Sequence, residues 1–378
     1  MHRQELLSGR QEKLFSLLET SQTPGGHAAI FGERGVGKTS VAAVFETDLR
    51  ERGVRAIRIN CSSLSSFRSL IEDVATEWIS HSPEDIAAEH LPHLLGGNFG
   101  QADIVRTLDG IAKVVPSVII LDEFDVVADA GVGEDFANLM KALADKQVDS
   151  HLVVVGVAED VDAILKGHAS IARGLSQVPM PRLEPEELAA ILRNGFGELS
   201  MSIPEALELR VIRLSQGLPH YTHLLGKELA RRSILAERDE VIADDWPAAL
   251  EGALEKAEQQ IVDLYGDATT TAKPSMFPDL LLACALAKKD QQGFFRPADV
   301  HGPLNKVSGK TYAMAAFTGN LASLSAADRG PALQQREFAD RRKRYRFANP
   351  LLQPYVLLKA VSDGTLDYHE IDDDEIWS

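Results

Sequence analysis

The sequence has 378 residues, 44% of them hydrophobic and 25% charged, which is enough apolar material for two or three domains with a buried core. Its formal net charge of −17 argues against a surface that binds nucleic acid over its whole extent. No stretch approaches the ~18 uncharged apolar residues of a membrane span, and the N-terminus lacks the apolar core of a secretory signal. Cys61 and Cys284 lie far apart in apolar contexts, so we expect buried free thiols in a cytoplasmic protein without a membrane contact.

The first 183 residues (1–183) alternate short β-branched runs with helical patterns, which predicts an α/β domain on a parallel sheet. Five runs are candidate strands of that sheet. They are HAAIFG (27–32), RAIRIN (55–60), SVIILDEFD (117–125), HLVVVGV (151–157) and SQVPMPRL (176–183).

A glycine-rich loop follows the first run and precedes a helical pattern. Its sequence matches G-x-x-x-x-G-K-[ST] at every fixed position. Such a loop turns its backbone N–H groups toward phosphate oxygens at a helix N-terminus, which predicts a nucleoside triphosphate site. Lys38 would reach the β- and γ-phosphates, and the Thr39 hydroxyl would bind Mg²⁺. The candidate nucleotide-binding residues here are Gly32, Glu33, Arg34, Gly35, Val36, Gly37, Lys38, Thr39 and Ser40.

A phosphate-binding loop of this kind needs a carboxylate on a neighbouring strand to hold the metal. The run VIILDEFD supplies Asp122, which would bind Mg²⁺ through water, and Glu123, which would orient and deprotonate the attacking water. The alternative is a strand end whose acids only face solvent. The pair indicates hydrolysis of the nucleotide rather than a small-molecule kinase.

Beyond the predicted sheet, the chain changes character. Helical periodicity predicts an all-helical lid over 184–265, whose last helix pattern spans 244–265. A small-residue linker, GDATTTAKPS (266–275), follows. Residues 276–362 give three helix patterns, a strand pair and a further helix, the order of a winged-helix domain. The acidic tail 363–378 has 7 acidic and no basic residues, so disorder is expected, with a docking peptide as the alternative.

GERGVGKT, LDEFD and the helical segment after the sheet together resemble the AAA+ superfamily of ATPases. Within it, the chain is most similar to the clade of origin-recognition initiators, transposition regulators and archaeal or STAND-type ATPases. The resemblance implies a five-stranded parallel sheet, a helical lid, a C-terminal winged helix, and hydrolysis of ATP with Mg²⁺. LSGR (7–10) is similar to that clade's entry to the first helix, which packs near the adenine, and this implies nucleotide contacts for Gly9 and Arg10.

The resemblance also implies three auxiliary positions. The tip of the fourth strand has no Asn, Thr or Ser between Val155 and Glu159, so the first sensor is degenerate. Arg173 stands where the family places an arginine that reaches the neighbouring subunit's site, although a solvated surface arginine is the alternative. In GLPH (217–220), His220 takes the place of the second sensor's arginine, and it could equally be a packed helix residue. Slow or partner-stimulated hydrolysis follows.

A basic segment, REFADRRKRYRF, lies near the predicted strand pair. From residue 273 to 347, 13 Lys and Arg stand against 6 Asp and Glu, a net charge of +7. In a winged helix the wing contacts the DNA backbone while a helix, here expected at 308–324, enters the major groove. A packing module with a solvated tip is the alternative. The candidate DNA contacts are Lys310, Arg341, Arg342, Lys343, Arg344 and Arg346.

Two functions fit these patterns. In the first, the protein is an ATP-dependent switch that forms a homo-oligomer through its nucleotide site and recruits an unknown effector protein, with DNA as a possible further partner. In the second, it is a winged-helix DNA-binding initiator or regulator in which ATP licenses loading onto DNA. A small-molecule kinase is disfavoured by the paired acids, the lid and the C-terminal module.

Overall fold

A computed structural model of the chain describes residues 9–81, 91–96, 98–127, 129–158, 174–290, 292–338 and 341–371. The chain divides into two compact units, Met1–Pro181 and Arg182–Ser378. Within the described residues, every helix is too short or too polar to cross a bilayer.

The first unit contains a five-stranded parallel sheet, as the sequence predicts. The strands pair in the order β2-β3-β4-β1-β5. They are β1 Ala28–Gly32, β2 Arg55–Asn60, β3 Ser117–Asp122, β4 Ser150–Val157 and β5 Ser176–Pro179. The fifth strand is shorter than the predicted run 176–183, since Pro179 and Pro181 have no N–H to donate to a neighbouring strand.

Helices flank this sheet. They are α1 Gln11–Ser21, α2 Lys38–Glu51, α3 Phe67–His81, α4 Gln101–Ala112 and α5 Ala130–Asp145. Aliphatic residues of the strands pack with Trp78 of α3 and Phe136 of α5 in one buried cluster. The central strands are covered on both faces, which is why β3 and β4 read as unbroken apolar runs.

The second unit begins with helices, as the predicted lid does. They are α6 Pro185–Glu198, α7 Glu205–Ser215, α8 Pro219–Leu235, α9 Trp246–Glu255 and α10 Gln259–Thr269. The single helix predicted over 244–265 is wrong, because the chain leaves helical geometry at Glu258 (φ −56°, ψ 131°). The second piece, α10, then continues through Gly266 to Thr269, into the stretch predicted as linker.

A winged-helix order of elements follows in the same unit. It comprises α11 Phe277–Leu286, α12 Pro297–Ser308, α13 Met314–Ser323, β6 Leu333–Glu337, β7 Lys343–Phe347 and α14 Leu352–Ser362. Strands β6 and β7 form the predicted antiparallel hairpin. Phe295 bridges to Tyr345 and so adds a third, one-residue strand to the hairpin. Tyr345 and Phe347 are buried, so two of the aromatic residues in the basic segment belong to the core.

The start of the predicted acidic tail packs against the rest of the second unit. Leu366 and Ile371 are buried, and the Tyr368 hydroxyl accepts a hydrogen bond from Arg210 of α7 at 3.0 Å. The Arg210 guanidinium also lies 4.0 Å from the centre of the Tyr368 ring. The expected disorder is therefore wrong for 363–371, because apolar side chains among the acids anchor it. Residues 372–378 lie outside the described part of the chain.

Candidate nucleotide site

The loop between β1 and α2 has the backbone shape that a phosphate cradle needs. Gly35 and Gly37 have φ of 86° and 93°, in the left-handed region that favours glycine. At Gly32, a Cβ would lie 2.4 Å from the carbonyl oxygen of Met180, so only glycine fits there. Gly37 is the N-cap of α2, so the loop ends at the positive end of the helix dipole.

The Lys38 ammonium lies across this loop. Its Nζ donates to the carbonyl oxygens of Gly32 at 3.1 Å and Glu33 at 2.8 Å. Burial lowers the pKa of Lys38 to about 8, against the attraction of Asp125, Asp122 and Glu33. The negative charge of a bound phosphate would keep this ammonium protonated.

Thr39 and Asp122 meet across the space between α2 and β3. The Thr39 hydroxyl donates to Asp122 Oδ1 at 3.3 Å, and the backbone N–H of Glu123 donates to the same oxygen at 3.0 Å. The Asp122 side chain is 1% exposed. Hydroxyl and carboxylate oxygens are the protein ligands that Mg²⁺ takes alongside nucleotide phosphates, so these residues fit the predicted metal.

Glu123 stands just beyond the end of β3. Its backbone has φ 57° and ψ 34°, a left-handed conformation that costs a residue with a side chain of order 1–3 kcal/mol. The turn takes Glu123 out of the strand, and its side chain is exposed at the carboxyl edge of the sheet. An exposed carboxylate at this edge is compatible with the activation of water, and that role stays a prediction.

Asp125 was not assigned a role from the sequence. Its Oδ1 accepts the backbone N–H of Val157, at the tip of β4, over 2.7 Å. This is the tip where the expected sensor residue is missing, and a Cβ on Gly156 would lie 2.9 Å from the same carboxylate oxygen. A carboxylate therefore stands beside the degenerate sensor position. The available signal was the fourth residue of DEFD, which follows Asp122 by three positions.

Arg58 was also missed. It lies in β2, which pairs with β3 in the register Asn60↔Asp122. Its Nη1 lies 3.4 Å from Asp122 Oδ2, and its Nε donates to Glu46 of α2 at 3.0 Å. The available signal was a charged residue inside the apolar strand run RAIRIN.

Cys61 lies beside this acidic group. Its backbone N–H donates to the carbonyl oxygen of Asp122 at 2.8 Å. Burial, and then the negative charges of Asp122, Asp125 and Glu123, raise the pKa of the thiol to about 12. Both cysteines are free and buried, which confirms that prediction.

The predicted entry segment contacts the loop through Arg10. Its side chain is buried, and Nη2 donates to the carbonyl oxygens of Val36, at 3.2 Å, and of Pro181. Gly9 precedes it with φ 73°, a left-handed turn into α1. Arg10 therefore supports the backbone of the phosphate-binding loop, and a direct contact with nucleotide stays a prediction.

Of the two remaining predicted residues of the nucleotide site, the structure describes only one. Arg173 lies outside the described residues. His220 is exposed in the first turn of α8, with its ring edge-on to Tyr221 at 5.3 Å between ring centroids. Its proposed sensor role stays a prediction.

The basic residues of the hairpin fall into two groups. Arg344 lies 3.6 Å from Asp290 and 4.3 Å from the Phe338 ring, and Arg346 donates to Gln334 at 2.7 Å. Both arginines are therefore engaged within the domain. The residues at the turn are exposed: Arg341, Arg342 and Lys343.

The predicted groove-entering helix, 308–324, is wrong at its start. Helix α12 runs to Ser308 and ends at Gly309, whose φ is 64°. The Tyr312 N–H then donates to Asn305 Oδ1 at 2.8 Å, which keeps this turn out of helical geometry until Met314. Lys310 thus lies exposed in a turn before α13. Apart from Met314 in its first turn, the exposed residues of α13 are small: Ala315, Ala316, Gly319 and Ala322.

Comparison with known proteins agrees with this geometry. Residues 22–165 match the family model described as AAA domain. Most of the first unit is therefore similar to an AAA domain. No curated protein sequence matches the chain significantly.

Solved structures share the fold of this chain over nearly its whole length. A Walker-type ATPase of Pyrococcus abyssi has a TM-score of 0.56 at 18% identity, covering 92% of this chain and 95% of its own. The Aeropyrum pernix ORC2 protein, in ADPNP–ADP complexes, has 0.52 at 16%, covering 94% and 93%. The Aeropyrum pernix ORC1 protein, in complex with DNA, has 0.50 at 14%, covering 93% and 92%. The fold therefore resembles that of origin-recognition ATPases.

Proposed function

We propose that this protein binds and hydrolyses ATP with Mg²⁺ and uses the nucleotide to switch its association with partners. The observation that carries the proposal is the Thr39–Asp122 contact of 3.3 Å, which joins the phosphate-binding loop to the acidic strand end. It aligns a hydroxyl and a carboxylate as metal ligands beside the Lys38 ammonium. In ORC2, whose fold is similar, ADPNP and ADP are bound, which supports a nucleotide as the ligand here.

Each residue has a distinct part in the proposed reaction. Lys38 neutralises the β- and γ-phosphates, while Asp122 and Thr39 hold Mg²⁺, which would polarise the γ-phosphate. Glu123, exposed just past the strand end, takes the proton of the attacking water. The hydrolysis products are ADP and phosphate.

Nucleotide binding and phosphate release together test this proposal. Lys38→Ala should lose binding of a fluorescent ATP analogue in the presence of Mg²⁺. Glu123→Gln should keep that binding but release phosphate about 10²–10⁴-fold more slowly, because it lacks the general base. Glu19→Gln, at an exposed glutamate of α1, is the matched control and should leave both quantities unchanged. A wild-type protein that binds no nucleotide, or a Glu123→Gln variant with normal turnover, contradicts the proposal.

We further propose that the switch works through assembly of copies of this chain and recruitment of an effector protein. The support is the site's sparse set of auxiliary groups: the tip of β4 lacks a polar sensor, and His220 replaces an arginine. Arg173 of a neighbouring copy would complete the site. Glu123→Gln protein with ATP should therefore be larger than a monomer by light scattering, and Arg173→Ala should slow turnover. A monomer with turnover independent of Arg173 rejects assembly.

DNA binding through the winged helix is the second candidate. It is favoured by three adjacent exposed cations, Arg341, Arg342 and Lys343, at the hairpin turn. The ORC1 protein of similar fold is described in complex with DNA. Because the exposed residues of α13 are mostly small and none of them is charged, we propose contacts mainly with phosphates rather than with base edges.

Salt dependence separates this candidate from the first. Arg341→Glu combined with Arg342→Glu should weaken binding to duplex DNA. The plot of log binding constant against log salt concentration should become less steep by about 2, because each neutralised phosphate contributes about 0.9 to its steepness. Lys288→Glu, an exposed charge reversal between α11 and α12, is the control. Unaltered DNA affinity in the double variant would remove this candidate.

A further inference from the structure

A chain of alternating charges leads from α2 to the predicted metal ligand. Thr39 and Glu46 are seven residues apart, two turns of helix, so both face the same side of α2. Glu46 Oε1 lies 2.7 Å from Arg50, and Glu46 Oε2 accepts from Arg58 Nε at 3.0 Å. The other end of the Arg58 guanidinium faces Asp122.

Arg58 gives Asp122 a positive partner within the protein. The Asp122 side chain is 1% exposed and that of Arg58 26% exposed. A buried carboxylate without a countercharge would cost several kcal/mol. Its Oδ1 is directed to Thr39 and to the Glu123 N–H, while Oδ2 faces Arg58. The cation therefore neutralises the carboxylate on the side away from Thr39.

The two ends of Arg58 are held unequally. The 3.0 Å bond to Glu46 is close to the usual range of a charge-assisted hydrogen bond, about 2.7–2.9 Å, whereas the 3.4 Å separation from Asp122 is well beyond it. Glu46 thus anchors Arg58 while the contact with Asp122 is loose. Such a cation offsets the charge of Asp122 without occupying it fully.

We propose that Arg58 is a built-in counter-ion of Asp122, which keeps free Mg²⁺ from binding strongly to the site until nucleotide phosphates supply further negative charge. This rests on the proposed ATP site and adds a regulation of its metal uptake. Arg58 stabilises the metal-free arrangement and repels a divalent ion placed beside Asp122. The phosphates of ATP reverse that balance. Metal and nucleotide then enter together.

Unfolding in the absence of nucleotide tests the idea directly. The unfolding midpoint is measured by calorimetry against MgCl₂ concentration, with ionic strength held constant by KCl. Wild type should be stabilised little. Arg58→Gln should have a lower unfolding midpoint than wild type without metal. It should reach half of its Mg²⁺-induced stabilisation at an Mg²⁺ concentration at least about tenfold below that of wild type, because one nearby positive charge is gone.

Three further variants isolate the contribution of Arg58. Arg58→Lys retains the charge and should respond to Mg²⁺ like wild type. Arg50→Gln removes the other cation of Glu46, one step further from Asp122, and should also respond like wild type. Glu46→Gln frees Arg58 from its anchor and should require more Mg²⁺, which keeps the idea testable even when Arg58→Gln does not fold.

The outcomes separate this inference from the proposed function. Equal responses of wild type and Arg58→Gln to Mg²⁺ overturn the counter-ion role, even where both bind ATP. Equal changes in the Mg²⁺ response of Arg50→Gln and Arg58→Gln overturn it as well, since any lost positive charge near the site would then have the same effect. A wild type that binds no ATP defeats the proposed function, and the metal response of Arg58→Gln is still measurable then.

Discussion

His27 and His151 form a buried pair at the amino edge of the sheet. His27 Nδ1 accepts the N–H of Leu152 at 3.0 Å, so its Nε2 carries the proton that is donated to Met140 O at 2.9 Å. Both nitrogens of His151 face acceptors, the Gly26 carbonyl at 2.7 Å and an Asp149 carboxylate oxygen at 2.9 Å. His27 is therefore neutral, with its proton on Nε2.

This pair predicts a loss of stability in mild acid. Burial, and then the charge of His151, lower the pKa of His27 from 6.5 to about 4. The unfolded chain takes up a proton at His27 below pH 6.5, and the folded chain does so only near pH 4. The contribution of His27 to the free energy of unfolding is thus complete above pH 6.5. As the pH falls from 6.5 to 4, this contribution decreases by about 1.4 kcal/mol per pH unit, about 3 kcal/mol in all.

Urea unfolding between pH 4.5 and 7 measures this slope. His27→Gln, which cannot titrate, should lose most of the decline with falling pH, although it is less stable at pH 7. His93→Gln replaces an exposed histidine in the same unit and should keep the wild-type slope. If the slopes of wild type and His27→Gln coincide, His27 takes up its proton equally in both states and this interpretation is wrong.

The candidate site could be predicted from the sequence only where its residues form a local pattern. Lys38 and Thr39 belong to one loop, and Asp122 and Glu123 to one strand end. Arg58 depends instead on which strand lies beside β3, and single-sequence patterns do not give strand order.

At the scale of elements, the helix break between α9 and α10 shows what sequence patterns leave out. The sequence LEKAEQQIV consists mostly of good helix formers, with no glycine or proline to mark an end. Lys256 instead forms an ion pair with Glu228, whose side chain is 0% exposed on α8. A Cβ on Gly252 would lie 2.7 Å from a Glu228 oxygen, so α8 and α9 approach closely there. The break coincides with this packing between helices. Local helix propensity does not include such tertiary contacts and therefore cannot predict the break.

The strands of the parallel sheet were predicted more reliably than the helix ends. A buried strand in a parallel sheet is apolar along its length, and its pattern is local. The start of α13 depends on Asn305 of the preceding helix, which binds the Tyr312 N–H. Because that bond is tertiary, the helical pattern around 308–324 predicted a helix that begins too early.

At the scale of the molecule, hydrogen bonds join the helical segment to the winged helix within the second unit. The Tyr221 hydroxyl donates to the Leu351 carbonyl at 2.8 Å. Gln353, 1% exposed on α14, donates to Gln216 at 2.6 Å and accepts from Arg182 at 3.0 Å. The turn that contains GLPH thus lies between two contacts with α14. This agrees with the grouping of 182–378 in one compact unit.

The lid and the winged helix should consequently open together. Gln353→Leu keeps the approximate volume but removes one hydrogen-bond partner from the buried Gln216 and one from the half-buried Arg182, at a cost of about 1–3 kcal/mol. Amide hydrogens of both α8 and α14 should then exchange with solvent at least about tenfold faster than in wild type. The increase should be the same in the two helices. Gln334→Leu, at an exposed glutamine of β6, is the matched control and should leave both helices unchanged.

Independent domains would behave differently in the same measurement. If the winged helix opens alone, Gln353→Leu accelerates exchange in α14 while α8 keeps its protection. That result would favour the division into a separate lid (184–265) and winged helix (276–362) over a single cooperative unit. A common factor means that α8 and α14 open as one cooperative unit, joined through Gln353 and Tyr221.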